Sequence, residues 1–263
     1  MNPELFMTEG VPTLESTGCV ATLTLRRAGQ RNSLNDEDLQ TLLDHFETLN
    51  QNTAIDVVVL RANTHGQPQP VFSSGYYVGG FEDDALAPLR FERIVQAFEA
   101  LRPITVCALN GSVYGGATDL VLASDLIVAQ QGLHWRMPAL ALGLHYYPSG
   151  LQRYVSRLGL NLSKRAFLLG QPMTYDSLSE TGVFAALVPA DQFETSVQEV
   201  VKQLTHMAPH ASQDTKKSLN EIAAGQFDVA RLQARSHTSA LGAEFAEGRQ
   251  AFAQKRAPRF KDL

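Results

Sequence analysis

Two glycine-containing bends hold the residues whose types and spacing could do chemistry. The first is Phe72-Ser73-Ser74-Gly75-Tyr76-Tyr77, and the second runs from Asn110-Gly111 through Gly115-Gly116 to Asp119. If a helix begins near Gly116, its first N–H groups have no acceptor one turn back and point outward at the positive end of the helix dipole. Glycine there lets a ligand oxygen come close, because no Cβ stands in the way. Asp119 lies three residues on, so its carboxylate leaves the helix on the same face, about one turn away. A second N–H, from the residue after Gly75, would complete a two-donor hole for an oxygen on which negative charge develops. Losing one such donor typically costs about 10²–10³ in rate. Taken singly, Gly115-Gly116 also serves tight strand–helix packing, Gly75 also closes a turn, and Asp119 also suits a solvated or capping aspartate. The pairing of the two bends is what favours the chemical reading.

These bends need elements to position them. Val20–Leu25 reads as a strand. Asn35 offers an N-cap for a helix with Leu39, Leu42, Leu43, Phe46 and Leu49 on one face. Ile55–Leu60 is nearly continuous β-branched sequence, the pattern of a strand buried on both sides. Val71-Phe72 leads into the first bend. A second amphipathic helix follows, with Phe91, Ile94, Val95, Phe98 and Leu101 on its apolar face, stopped near Pro103. Ile104–Leu109 is the strand before the second bend, and Asp125–Ala129 returns as another. This alternation predicts an α/β fold with crossover connections. From about Ser163 the pattern turns helical, apart from a short strand at Phe184–Val188. The division 1–162 and 163–263 is read as a core joined to a helical tail within one domain.

Composition narrows the function classes. The chain has 263 residues, of which 44% are hydrophobic and 19% charged, as expected of a globular domain with a substantial core. A net charge of −5 argues against nucleic acid or an anionic membrane surface as the main partner. The two cysteines, Cys19 and Cys107, sit in apolar runs and read as buried thiols in a reducing compartment. Met1–Leu14 carries Glu4 and Glu9 with no basic or apolar run, unlike a signal peptide. The expected location is the cytoplasm.

At this point the chain resembles a known family. Phe72–Tyr76 looks like the first oxyanion-hole segment of the crotonase (enoyl-CoA hydratase/isomerase) superfamily, and Asn110–Asp125 like its second. Flanking stretches agree: Arg31-Asn32-Ser33-Leu34, Met137-Pro138, Leu142-Gly143, Gly150 with Gln152-Arg153, and Glu247-Gly248. The resemblance implies the crotonase spiral, repeated ββα turns building two roughly perpendicular sheets, followed by a C-terminal helical region that packs between subunits of a homotrimer or hexamer. It implies an acyl-CoA substrate, with coenzyme A as part of that substrate and neither metal nor redox cofactor. The oxyanion donors would be the N–H groups of Tyr76 and Gly116, and Asp119 would take the place of the first catalytic glutamate of hydratases. Backbone around Ser73, Ser74 and Gly75 would meet the adenine, and Arg31 the phosphates, for which a planar fork of donors is suited.

The departures from the family pattern carry as much information. The position of the second hydratase glutamate is Ala139. Where several isomerases hold an acidic residue the chain has Tyr147, and where an aspartate often follows the first donor it has Tyr77. Adding water across a double bond needs one group to activate the water and another to protonate carbon. With Asp119 the remaining matched carboxylate, the expectation is isomerisation or decarboxylation in preference to hydration. Tyr147 is read as packing or shaping the substrate, or as assisting if its pKa is lowered. The alternatives are an acyl-CoA thioester hydrolase and a non-catalytic acyl-CoA-binding member. His206 and His210 have helical metal-pair spacing, but Pro209 lies between them and no Glu follows His206, so no metal site is expected.

Overall fold

The computed structural model describes residues 9–77, 79 and 87–260. In chain order the elements are β1 (Gly10–Thr17), β2 (Val20–Arg26), α1 (Asp36–Gln51), β3 (Val57–Ala62), β4 (Val71–Ser73), α2 (Ala87–Glu99), β5 (Ile104–Leu109), β6 (Ser112–Tyr114), α3 (Gly116–Leu122), β7 (Leu126–Gln130) and β8 (His134–Arg136). The later part has α4 (Pro148–Leu158), α5 (Leu160–Lys164), β9 (Met173–Thr174), α6 (Tyr175–Ser179), β10 (Ala186–Val188), α7 (Phe193–Thr205), α8 (Pro209–Ala223), α9 (Val229–Leu241) and α10 (Ala243–Gln254).

The strands form two sheets. The larger has the order β1-β2-β3-β5-β7-β10, and the smaller β4-β6-β8-β9. From β2 to β10 the large sheet is parallel, with β1 antiparallel on β2. Parallel strands buried on both faces need apolar side chains at every position, and β3 and β5 show how they are divided. Val58, Leu60, Cys107 and Leu109 enter the main core, whereas Val57, Val59, Val106 and Ala108 pack under Phe193 and Val197 of α7.

The helices form where the residues specify them. Asn35 accepts from the Asp38 N–H while the Asp38 carboxylate accepts from the Asn35 N–H, a reciprocal cap that sets the start of α1. Phe91, Ile94, Val95 and Phe98 seat α2, and Leu101 follows them into the core. Helices already begin at Pro148, and the short strand read at Phe184–Val188 is β10 (Ala186–Val188), which pairs with β7 and so joins the later residues to the main sheet. Strand β1 had no distinct signal, because Gly10–Thr17 is only partly buried at the sheet edge.

Candidate active site

Both bends sit at the ends of the short strands β4 and β6, which pair in parallel and therefore deliver their following residues side by side. Gly75, with φ of +90°, occupies a conformation that side chains rarely adopt. A Cβ there would lie 2.9 Å from the Gly116 nitrogen and 2.9 Å from the Tyr114 carbonyl. The two bends are thus in backbone contact, and the glycine is what permits it. Gly116 opens α3 after Gly115, so its N–H has no acceptor within the helix. Leu34 fastens the other bend, donating to the Gly75 carbonyl (2.9 Å) and accepting from the Tyr77 N–H (2.8 Å), one bond on each side of Tyr76. The Tyr76 ring stacks on Phe91, with centroids 5.7 Å apart, and its hydroxyl bonds Asp36.

A cavity of about 460 Å³ opens in front of these bends. Ser74, Tyr76, Gly115 and Gly116 form one wall. Phe91, Met137, Pro138, Leu142 and Leu144 supply apolar lining, and Ala139, Tyr146 and Tyr147 also border the space. Ala139 presents only a methyl group to this space. The described residues that line it are mostly apolar and include His145 but no carboxylate.

Asp119 lies one turn into α3, as its spacing predicts, yet its carboxylate does not line the cavity. It is 0% exposed, with Oδ2 accepting from the Tyr147 hydroxyl (2.7 Å) and Oδ1 from Arg153 Nη1 (2.6 Å). Tyr147 thus stands between the carboxylate and the cavity, and it accepts in turn from the Tyr146 hydroxyl (2.8 Å). The two tyrosine rings stack with centroids 4.1 Å apart. The arrangement depends on Gly150, one turn into α4. A Cβ there would run into the Tyr146 ring, would come within 2.7 Å of Tyr147, and would lie 2.9 Å from Asp119 Oδ2.

Burial pushes the Asp119 carboxyl up, while the Arg153 guanidinium and the Tyr147 hydroxyl pull it back. Tyr147 moves opposite to the direction that would make it a phenolate. Burial first, and then the Asp119 charge, raise it well above the ordinary phenol value. It is therefore a neutral hydroxyl that donates to Asp119, and the sequence expectation of assistance through a lowered pKa is corrected in that respect. Tyr154, which anchors Thr118 and accepts from the Trp135 indole (3.1 Å), fixes α3 from behind.

The remaining predicted residues divide between two spaces. Ser74 lines the apolar cavity and donates its N–H to the Arg31 carbonyl (2.9 Å). Arg31 is exposed in a left-handed conformation and borders a neighbouring cavity of about 510 Å³ with Tyr114, His65 and Gln67. Ser73 is fully buried, its hydroxyl donating to the Asn32 carbonyl and accepting from the Gly75 N–H, so its side chain shapes the bend from inside. His206 and His210 bond Lys202 and Glu244 respectively. Among the described residues no group of three or more His, Cys, Asp or Glu side chains is placed to hold a metal, and no helix is long and apolar enough to cross a membrane. Tyr146, Gly150 and Arg153 belong to the cluster but carry no isolated motif. The signal that could have found them is their spacing around Tyr147, one residue before and three and six after.

Comparison with known proteins agrees with this geometry. A family model described as enoyl-CoA hydratase/isomerase matches residues 15–263. The 2,3-dehydroadipyl-CoA hydratase of Escherichia coli (strain K12) is 27% identical over 92% of this chain and 95% of its own length. The methylmalonyl-CoA decarboxylase of the same organism is 24% identical over 92% and 94%. A crystal structure of an enoyl-CoA hydratase from Bacillus anthracis superposes with a TM-score of 0.87 at 22% identity, covering 97% of this chain and all of the other. With two sheets, a C-terminal helical region and a family match along nearly the whole chain, the protein belongs to the enoyl-CoA hydratase/isomerase family of enzymes, the crotonase superfamily.

Proposed function

We propose that the protein forms an enolate from an acyl-CoA thioester and moves a proton on it, isomerising a double bond in preference to hydrating one. One observation carries this reading: the glycine bends and the Tyr146–Tyr147–Asp119 cluster border the same apolar cavity, whose described lining residues include no carboxylate. The thioester oxygen sits between the N–H groups of Tyr76 and Gly116. The apolar walls exclude water, which strengthens those hydrogen bonds as charge develops. Coenzyme A reaches the site past Ser73, Ser74 and Gly75, with Arg31 toward its phosphates in the adjoining cavity. It is part of the substrate, and no metal or redox group enters the chemistry.

For a 3-enoyl thioester, the α C–H bond breaks and its electron pair enters the carbonyl, giving a dienolate. The proton passes to the Tyr147 oxygen as the Tyr147 proton passes to Asp119. Reversal of that transfer protonates the γ-carbon and leaves the conjugated 2-enoyl thioester. Atoms and charge balance with one relay. Hydration would need a second polar group where Ala139 stands. Decarboxylation is the second reading, favoured by the neutral phenol at the cavity wall, which can protonate an enolate left by departing carbon dioxide. The 163–263 region is proposed to carry assembly into a homotrimer or hexamer. Leu241 is 76% and Phe252 88% exposed, apolar surface that another copy would cover.

The test is a panel of 3-enoyl, 2-enoyl and malonyl-type CoA thioesters followed by chromatography. Conversion of the 3-enoyl thioester to its conjugated isomer is expected to outrun hydration of the 2-enoyl thioester. Faster hydration would overturn the reading, and binding without turnover of any thioester would place the protein among the non-catalytic members.

A further inference from the structure

Asp119 is a base that the cavity does not touch, and what lies behind it is as ordered as what lies in front. Arg153, on α4, places Nη1 2.6 Å from Asp119 Oδ1 and closes a two-point bridge to Glu99 of α2, with Nε 2.8 Å from Oε1 and Nη2 2.9 Å from Oε2. The Arg153 side chain is buried, the Asp119 side chain fully so, and the Glu99 side chain is 35% exposed. Glu99 and Arg153 also border a small polar cavity of about 80 Å³ with Asp125 and Arg157. A cationic group that cannot lose its proton is therefore clamped by one outer carboxylate and presents its remaining edge to the inner one.

We propose that Arg153 is a positioning residue that keeps Asp119 ionised and aimed at Tyr147, and that Glu99 sets how strongly it does so. The inference rests on the proton-transfer reading above. An isolated carboxylate in a site this buried takes up a proton in preference to holding charge. A guanidinium at 2.6 Å opposes that preference, and a second carboxylate sharing the same guanidinium weakens the opposition. The charged and titratable groups that face Asp119 are Tyr146 and Tyr147 before α4, Arg153 and Tyr154 on α4, and Glu99 on α2. Of these, Arg153 alone favours the carboxylate by charge and Glu99 alone opposes it. Burial raises Asp119 most, Arg153 lowers it, and Glu99 adds to the rise. Geometry contributes as much as charge. With Oδ1 taken by Arg153, Oδ2 is the lone-pair site left for Tyr147, so the proton has one way in.

The two charges must act with opposite signs, and a merely structural role would not produce that. The acid limb of the kcat/KM profile marks protonation of the base. Replacing Arg153→Gln removes the stabilising cation, and the limb should move upward by about one pH unit or more, with a loss of about tenfold or more at pH values below both limbs. Replacing Glu99→Gln removes the competing anion, and the limb should move downward. Arg153→Lys should fall between Arg153→Gln and wild type, because it restores charge without the fork. Limbs that stay in place, or that move the same way in both variants, overturn the proposal. If Arg153→Gln does not fold, the direction of the Glu99→Gln change still decides. A wild type inactive on every thioester tried defeats the functional reading instead. The Asp119 titration, followed by carboxyl-carbon NMR with Asp119→Asn as the assignment, then decides the role of Arg153 without turnover, by the same pair of opposite shifts.

Discussion

The glycine bends and the tyrosine–aspartate cluster meet at one cavity, and they are built by different means. The bends work through main-chain groups. What they require is the absence of side chains, at Gly75 because of its φ of +90° and its 2.9 Å approach to the Gly116 nitrogen. The cluster works through side chains held in series, from Tyr146 through Tyr147 and Asp119 to Arg153 and Glu99. The first wall is local, with each bend following its own strand. The second draws on α2, α3, the turn before α4, and α4 itself. A backbone device survives most substitutions except those that add a Cβ, whereas a side-chain series can be cut at any link.

Cutting the series at its base should do the greatest damage. Asp119→Asn keeps the shape and removes the acceptor, and turnover is expected to fall about 10³-fold while acyl-CoA affinity, read by calorimetry, is preserved. Retained turnover would mean that another group takes the proton.

Distorting the bends comes next. Gly75→Ala forces a Cβ against Gly116 and Tyr114, and the rate should drop about 10²–10³-fold with a smaller effect on melting temperature. A rate loss no larger than the stability loss explains would remove the bends from the chemistry.

Tyr147→Phe asks whether the cluster is a relay or only packing. Ring volume is kept and the hydroxyl is lost, so a relay predicts a fall of about 10²-fold and packing alone predicts almost none. Steady-state rates on the same thioester separate the two.

The smallest effect on catalysis belongs to a buried pair that hydrogen-bonds to neither the bends nor the Tyr146-to-Glu99 series. Lys216 of α8 donates to the Pro103 carbonyl (2.9 Å), just before β5, and pairs with Asp125 (2.7 Å), just before β7. Lys216→Met should cost about 3 kcal/mol in chemical unfolding, because Asp125 loses a buried partner, and leave kcat below the transition nearly unchanged. An equal loss of kcat would show that the helical region and the site are not separable.

Much of the site was legible in the residues because local rules governed it. The two bends follow strands that read as strands, the Asn35 cap and the apolar faces of α1 and α2 occur where the pattern puts them, and Asp119 falls one turn after Gly116 as helical spacing requires. Ala139 and Tyr147 were recognisable as departures because both fall within matched segments. What could not be read was the direction in which Asp119 faces. Spacing along α3 brings its Cα near the bend, but the carboxylate turns toward Arg153, 34 positions later, and Tyr147, 28 later, across a helix–helix contact. The parts played by Tyr146 and by Gly150, which falls in a matched stretch, went unread for the same reason, since a tyrosine beside a tyrosine and a glycine in a helix have no assigned role until the helix is docked.

The sequence by itself determined the family, the main alternation of strands and helices and the places of the two glycine bends, because each rests on short-range geometry: a strand, a glycine, a helix start. Only the tertiary structure decided that the Asp119 carboxylate is hidden behind a phenol and bonded to an arginine that a second carboxylate also grips. Those relations are set by which faces of α2, α3 and α4 meet, and packing over long separations in the chain leaves no periodic trace in the residues that take part in it.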